Sequence, residues 1–484
     1  MRVFLGNGPW SKTGYYGVRA GSRWPHFEDQ NLEYMPFPFF LAYAAALLER
    51  EEVPVLLVDA LAEKIDRPAF LERIDAFTPD VIVLEVSTIS IETDLATARE
   101  IKERFPDAKL VFAGLHAYMY EPGWLDEHAD IDFVLVGEYE DTLLELIKRL
   151  DEGVSPAGCQ GLLWRAADGV HDEGRRPLRE DLDSLPWPAR HFLPLHEYHD
   201  EPGSIPRPSV QMWASRGCPF GCVFCAWPQI MYNSSKYRVR GVRDTVDEME
   251  WLVGEYGFRS VYFDDDTFNV KKDRTLALAR EIKARNLGVP WAIMARADLM
   301  DRETLEELQD AGLYALKYGV ESSDAELLEQ MNKSLDIDKV RKIIAITREL
   351  GIKMHLTFLF GMPGETRETA SATIEMALAS GAESVQFTIA TPFPGSRYYY
   401  DLSKKGRIIT DDFERYDGFR SAVIKTDHLE PHELEEIVAE ANRRWQEHRW
   451  GTLNPDTRTV AKKAVDLARD PRRIPDSLRR LLRR

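Results

Sequence analysis

The segment Arg216-Gly217-Cys218-Pro219-Phe220-Gly221-Cys222-Val223-Phe224-Cys225 places three of the chain's four cysteines within eight residues, spaced CxxxCxxC. Three thiols on one short loop cannot all pair with one another, and the fourth, Cys159, is remote in sequence. Two chemistries stay open. Structural zinc takes four ligands, usually from two knuckles, and Cys159 is the one spare. An iron–sulfur cubane takes a thiolate on each of several irons, and three thiolates leave one iron open to a small molecule. The spacing favours the cluster. Gly217 and Gly221, beside the first two cysteines, let the backbone wrap closely around it.

Outward from this loop, apolar strands alternate with helical stretches. Val210 to Ala214, Ser260 to Phe263, Trp291 to Ala295, Ala315 to Val320, Met354 to Phe360 and Val385 to Ala390 read as strands. Helical periodicity fills 244–256, 273–286, 302–311, 338–350 and 367–379. Six strands with helical crossovers predict a partial (β/α)6 TIM-type barrel over 208–400, with its chemistry on the loops after the strand C-termini. The cysteine loop follows the first strand and so falls on that face. The later strands end at Asp264-Asp265-Asp266-Thr267-Phe268, Arg296, Glu321-Ser322, Gly361-Met362-Pro363-Gly364-Glu365 and Thr391 to Ser396. A Mg²⁺ site or helix cap also explains the acidic run. A rim salt bridge also explains Arg296, and a plain turn Pro363-Gly364.

Residues 1–150 carry the same alternation. Val3 to Asn7, Val55 to Asp59, Val81 to Val86, Leu110 to Gly114 and Phe133 to Gly137 are short apolar runs, with helices at 39–50, 95–105 and 142–150. Such runs predict a parallel sheet covered on both faces, here a flavodoxin-like (Rossmann-like) α/β domain. Ligands of these sheets bind beyond the carboxyl ends of the strands. That rule selects the loops at Asn7 to Trp10, Ser87-Thr88, Gly114 to His116 and Gly137-Glu138. Residues 151–207, with Leu185-Pro-Trp-Pro-Ala-Arg190, read as a linker. Residues 401–484 read as a helical C-terminal region.

A length of 484 residues fits roughly three domains at about 150 residues each. The chain is 44% hydrophobic and 30% charged, the mix of a globular protein. No apolar run reaches the roughly 18 residues of a membrane span, and the N-terminus lacks the pattern of a signal peptide. Few cysteines outside one cluster argue against a disulfide framework, so the expected location is cytoplasmic. The net charge of −19 opposes general binding to nucleic acid backbones. The last 14 residues nevertheless carry six arginines and one aspartate. They read as a solvated helical tail or as a contact with anionic lipid or an acidic neighbour.

Cys218, Cys222 and Cys225 at this barrel position match the radical S-adenosylmethionine (SAM) signature. With a flavodoxin-like domain and a Leu-Pro-Trp-Pro linker ahead of the barrel, the chain over about 1–400 resembles the cobalamin-dependent radical SAM enzymes. The resemblance implies a 4Fe–4S cluster on the three cysteines and SAM on the open iron. It gives Phe224, Asp264, Asp265, Arg296, Glu321, Ser322, Gly361 and Pro363 as SAM contacts. Asn7, Trp10, Ser87, Thr88, Gly114, His116, Gly137 and Glu138 become cobalamin contacts. One departure stands out. The Asp-x-His-x-x-Gly segment of cobalamin domains is replaced by Asn7-Gly-Pro-Trp-Ser-Lys-Thr-Gly14, without histidine, so no residue is assigned below cobalt. His116 reads either as a cofactor contact or as a rim histidine bonded to backbone. The aromatic and basic stretch from Tyr15 to His26 lines the substrate cavity or covers the sheet edge.

The implied reaction is methylation of an unactivated carbon of a small-molecule or lipid-like substrate, served by an electron donor such as flavodoxin or ferredoxin. Oxidative cyclisation, rearrangement or C–C coupling uses the same motifs. A methylthiotransferase acting on transfer RNA would carry a second cysteine triad in its N-terminal domain, and residues 1–150 contain no cysteine. A corrinoid carrier would not need the cysteine loop.

Overall fold

The computed structural model describes residues 1–12, 15–17, 26–28 and 34–452. The basic tail of the last 14 residues, and much of the stretch from Tyr15 to His26, lie outside the described residues.

The N-terminal sheet is built from strands β1 (Val3–Asn7), β2 (Val55–Asp59), β3 (Val81–Ser87), β4 (Lys109–Leu115) and β5 (Phe133–Leu135). All are parallel, in the order β2-β1-β3-β4-β5, the flavodoxin-like winding. β1 aligns Asn7 with Asp59 of β2 and Gly6 with Leu84 of β3. A hairpin of β6 (Leu162–Ala166) and β7 (Gly169–Asp172) continues the sheet antiparallel from β5. Part of the segment that reads as a linker, 151–207, therefore belongs to this sheet.

Alternating residues of each strand divide between two covered faces, as strand geometry requires. Phe4, Ile82, Leu84 and Phe112 pack under the helices Arg67–Phe77 and Ile91–Arg104. Val3, Leu5, Val83 and Ala113 pack under Phe39–Arg50 and Glu140–Asp151. The first ten residues of Phe39–Arg50 are all buried, because this helix also meets the barrel. Phe39 stacks on Trp213 with ring centroids 4.1 Å apart, and Phe40 on Trp227 at 5.8 Å.

The second sheet comprises β8 (Ser209–Met212), β9 (Ser260–Phe263), β10 (Trp291–Ala295), β11 (Leu313–Glu321), β12 (Lys353–Phe360) and β13 (Ser384–Ile389). All six are parallel and lie in sequence order, an open half-barrel. Helices Val242–Tyr256, Lys272–Arg285, Arg302–Asp310, Ile337–Glu349 and Arg367–Ala379 make the crossovers. The turn at Pro202–Ser204 plugs the amino end of the barrel. A Cβ on its Gly203 would lie 2.6 Å from Lys353 Cβ and 2.9 Å from Ala315 Cβ. The C-terminal helix Pro431–Thr452 buries Leu434, Ile437, Val438 and Ala441 against β13 and the helix Arg367–Ala379. Among the described residues no helix is long and apolar enough to cross a membrane.

Candidate active site at the domain seam

The carboxyl ends of the two sheets face each other across one cavity of about 250 Å3. Glu85, Ser87, Thr88 and Leu115 line it from the N-terminal sheet. Cys218, Cys222 and Cys225 line it from the barrel, together with residues that follow β9 to β13.

The cysteine loop is held from all sides by backbone hydrogen bonds. Gly217 N donates to Asp266 Oδ2 at 2.9 Å. Gly217 has φ +89°, and a Cβ there would lie 2.1 Å from Lys236 O, so only glycine fits. Gln229 Nε2 donates to the carbonyls of Cys222 (3.2 Å), Val223 (3.1 Å) and Cys225 (2.7 Å). Asn332 Nδ2 donates to Gly221 O at 2.7 Å, and Val223 N to Met331 O at 2.9 Å. Cys218 Sγ lies 3.4 Å from Thr267 Oγ1. Burial pushes the Cys222 thiol up, opposed by the Lys333 ammonium beside it. Among the described residues no three His, Cys, Asp or Glu side chains are placed to hold a single metal ion. A cubane asks something else of its thiolates, which bind separate irons. Three cysteines on one tightly held loop, all opening onto one cavity, fit that group.

Two cations stand next to the thiols. Lys333 Nζ pairs with Glu321 Oε1 at 2.6 Å. Arg296 is fixed by Asp298 (3.0 and 2.8 Å) and by the carbonyls of Lys333 (3.0 Å) and Ser334 (3.2 Å). Its guanidinium lies 3.8 Å from the centroid of the Phe220 ring. Glu321 has φ +68°, the left-handed region that a non-glycine residue adopts only when its surroundings impose it. This twist at the end of β11 brings the carboxylate to Lys333.

The residues named from the sequence fall into two groups. Phe224, Arg296, Glu321, Ser87 and Thr88 line the cavity beside the three cysteines. The others sit behind its lining. Asp265 is fully buried, accepting from Ala214 N at 3.1 Å and from Ser215 Oγ, and burial pushes its carboxyl up to about 6. Asp264 N donates to Met212 O at 2.9 Å. The next two residues, Asp266 and Thr267, form the lining. Ser322 Oγ accepts from Asp324 N at 3.1 Å and shapes a turn. Gly361 N donates to Glu365 Oε2 at 3.2 Å, Gly361 O accepts from Tyr398 Oη at 2.7 Å, and Pro363 O accepts from Asp427 N at 3.1 Å.

On the other side of the seam, Trp10 is buried in the core. Asn7 Nδ2 donates to Asp59 Oδ1 at 2.9 Å. Gly114 has φ +114°, and a Cβ there would meet Val86 O at 2.3 Å. His116 is buried among Tyr118, Trp124 and Phe413, with Nδ1 3.3 Å from Thr88 Oγ1. Burial pushes it down to about 3, so the ring is neutral. Gly137 and Glu138 belong to the seam. A Cβ on Gly137 would lie 2.7 Å from Met231 O. Glu138 is bidentate to Arg238 at 2.7 Å and stands 3.5 Å from Arg216. Arg216 pairs in turn with Glu140 at 2.7 Å and lies over the rings of Tyr43, Phe40 and Trp213.

Sequence reasoning assigned no role to Lys333, Arg216 or Glu85, and named Asp266 and Thr267 only within the run Asp264 to Phe268. A signal existed for two of them. Arg216 abuts the cysteine loop, and Glu85 is the one charge inside the apolar run Val81-Ile-Val-Leu-Glu-Val-Ser87.

Comparisons with known proteins agree with this geometry. Residues 214–377 match the radical SAM superfamily and residues 30–147 the B12 binding domain. An uncharacterised methyltransferase of Pyrococcus horikoshii is 28% identical over 404 residues, covering 84% of this chain and 86% of that protein. The anaerobic magnesium-protoporphyrin IX monomethyl ester cyclase of Rubrivivax gelatinosus is 28% identical over 443 residues, covering 89% and 75%. The fold is shared with the radical SAM methyltransferase TsrM of Kitasatospora setae, solved with cobalamin and a [4Fe–4S] cluster bound. That match has a TM-score of 0.66 at 20% identity and covers 94% of this chain and 90% of that one. The half-barrel with its cysteine loop defines a radical SAM enzyme. The B12-binding domain ahead of it places the chain in the family of cobalamin-dependent radical SAM enzymes, whose cofactors are SAM, a 4Fe–4S cluster and cobalamin.

Proposed function

We propose that this enzyme transfers a methyl group to an unactivated carbon of a small molecule held in the seam cavity. The observation that carries this reading is that a single cavity is lined both by the cluster cysteines and by the strand ends of the B12-binding sheet. When bound, the cluster and SAM supply a hydrogen-abstracting radical, and cobalamin supplies the methyl group. Hydrogen abstraction and methyl transfer must meet at one substrate carbon, and a shared cavity meets that requirement.

The chain's own residues bind and orient. Arg296, Glu321 and Phe224 face the SAM side, with Asp266 and Thr267 next to them. Ser87 and Thr88 face the corrinoid side. Leu115, Ile230, Leu359, Ile389 and Phe393 make the remaining walls apolar and exclude water, which protects a radical from side reactions. In this reading residues 1–150 hold cobalamin, 208–400 hold SAM and the cluster, 151–207 join them, and 401–484 are the C-terminal region, whose helix Pro431–Thr452 closes the barrel edge. The electron donor is of the flavodoxin or ferredoxin class, the compartment is the cytoplasm, and the basic tail provides a peripheral contact with anionic membrane.

A second reading, oxidative cyclisation without methyl transfer, is favoured by the similarity to the Rubrivivax cyclase. Anaerobic turnover with isotopically labelled SAM separates the two. Methyl transfer yields 5′-deoxyadenosine and S-adenosylhomocysteine in equal amounts. Substrate consumption with 5′-deoxyadenosine and no S-adenosylhomocysteine would reject the methyltransferase and leave the cyclase.

A further inference from the structure

Three polar side chains in the N-terminal sheet are buried without full hydrogen bonding. Asn7 and Glu85 occupy neighbouring strands, β1 and β3, one residue beyond the aligned pair Gly6 and Leu84. They point to the face that also carries Val3, Leu5, Val81 and Val83. Tyr139, at the start of the helix Glu140–Asp151, covers the same face. The side chains of Asn7, Glu85 and Tyr139 are 2%, 4% and 0% exposed. Asn7 Oδ1 and Glu85 Oε2 have no hydrogen-bond partner of good geometry, and Tyr139 Oη has Glu85 as its partner. In a folded protein such atoms are rare and costly unless something fills them. The place is also distinctive, because β1 and β3 flank the topological switch point of the sheet, where ligands of this fold bind. Glu85 itself opens onto the seam cavity.

We propose that Glu85, backed by Asn7 and Tyr139 behind the cavity lining, forms a polar slot that hydrogen-bonds a peripheral carboxamide of the corrinoid, Glu85 acting as donor. This rests on the reading above that cobalamin occupies the sheet side of the cavity. Burial pushes the Glu85 carboxyl up to about 8. The groups facing it are Tyr139, Asp59, Glu140 and Tyr120. Asp59 and Glu140 raise it further and Tyr139 lowers it. Near neutrality the carboxyl therefore keeps its proton and donates. Tyr139 orients the carboxyl from behind through its own hydrogen bond to Glu85, and Asn7, held by Asp59, keeps that side of the slot polar. A primary carboxamide offers one acceptor and two donors in a small planar group, and the rim of a corrin carries such groups. A substrate amide has the same chemistry, so the test contains no substrate.

The full-length protein and its Glu85→Gln and Glu85→Leu variants would be titrated anaerobically and in dim light with methylcobalamin, which carries no ionisable water on cobalt, by absorbance, at several pH values. Glu85→Leu should bind about tenfold more weakly with no loss of melting temperature in the corrinoid-free protein. Glu85→Gln keeps a donor and should bind within about threefold of wild type at neutral pH. Wild-type affinity should fall as pH rises through about 8, while Glu85→Gln stays level. Wild-type affinity in Glu85→Leu would overturn the slot. So would identical pH profiles for wild type and Glu85→Gln, which is the deciding readout if Glu85→Leu fails to fold. Absence of corrinoid binding by wild type at every pH would overturn the slot and the cobalamin reading together, whereas the other two outcomes leave that reading standing.

Discussion

Cys159 and the three loop cysteines differ in their surroundings, and the difference is testable. Cys159 is fully buried, with Sγ 3.8 Å from Thr142 O, and burial pushes its thiol up to about 11. A thiol held neutral in this way is a poor metal ligand. Cys218, Cys222 and Cys225 open onto the cavity. Anaerobically reconstituted Cys218→Ala, Cys222→Ala or Cys225→Ala should each lose the cluster, read as iron and sulfide content. Cys159→Ala should retain it, and loss there would implicate a fourth protein ligand. His116 offers a second test at this scale. Its pKa is depressed from 6.5 to about 3 by burial, so the folded chain excludes a proton that the unfolded chain binds. Its contribution to stability is full above about pH 6.5 and is lost as pH falls toward about 3. His116→Phe, in a pocket already lined by Tyr118, Trp124 and Phe413, removes that loss. The urea midpoint of the variant should gain on wild type between pH 7 and about pH 4.5. A constant difference would contradict a neutral buried imidazole.

At the scale of elements, the end of β5 is fastened to the cysteine loop by buried charge. Glu138 and Glu140 meet Arg216 and Arg238, and all four side chains are almost wholly buried. Arg216 immediately precedes Gly217-Cys218, so the pairing fixes the start of the loop against the B12-binding domain. Removing one partner of a buried ion pair strands the other charge. Arg216→Met should therefore lower stability by about 3–5 kcal/mol, measured by denaturant unfolding, with a parallel fall in cluster occupancy. Adding Glu140→Gln removes the stranded charge and should recover a large part of that loss. No recovery would mean that Arg216 acts through packing on Tyr43, Phe40 and Trp213 alone. Gly137, one residue before this cluster, has φ +77° and faces Met231 O. Gly137→Ala should cost about 1–3 kcal/mol of backbone strain, and it should loosen the seam as well as the domain.

Across the whole molecule, the two sheets share one core through one face of the N-terminal sheet, whose other face keeps a core of its own. Phe40 and Leu5 of the N-terminal domain belong to the same buried cluster as Trp213, Trp227 and Met231 of the barrel. Charged pairs reinforce the join, as do Arg190 and Glu248, whose side chains are both about 1% exposed, under Phe37. Domains sharing a core unfold together. Urea unfolding followed by tryptophan fluorescence and by far-ultraviolet circular dichroism should therefore give coincident transitions, and two separated transitions would contradict a continuous core. The same continuity limits truncation. A cut after residue 150 strips the β6–β7 hairpin from β5 and exposes an unpaired strand edge, an aggregation-prone surface. A fragment of about 1–175 keeps the hairpin and should be the better behaved of the two in light scattering.

The sequence by itself determined the class of both sheets, the position of their strands along the chain and the cysteine loop. These signals are local: an apolar run of four to seven residues defines a buried parallel strand wherever it lies, and CxxxCxxC needs no distant partner. It also selected Arg296, Glu321, Ser87 and Thr88, because residues at the end of a parallel strand project from the carboxyl end of the sheet, and Phe224 through the resemblance of the cysteine loop. Tertiary structure decided the rest. Within Asp264-Asp265-Asp266-Thr267 it turned Asp265 inward to Ala214 N and the Ser215 hydroxyl and left Asp266 and Thr267 on the cavity. It committed Glu138 to Arg238 and Arg216, partners about 100 and 80 residues away in the chain. It also brought Lys333 beside the cysteines and set Glu85 on the cavity wall. Where a strand-end side chain points depends on which distant backbone or charge satisfies it once water is excluded, and that partner is brought within reach only when the two domains close on each other.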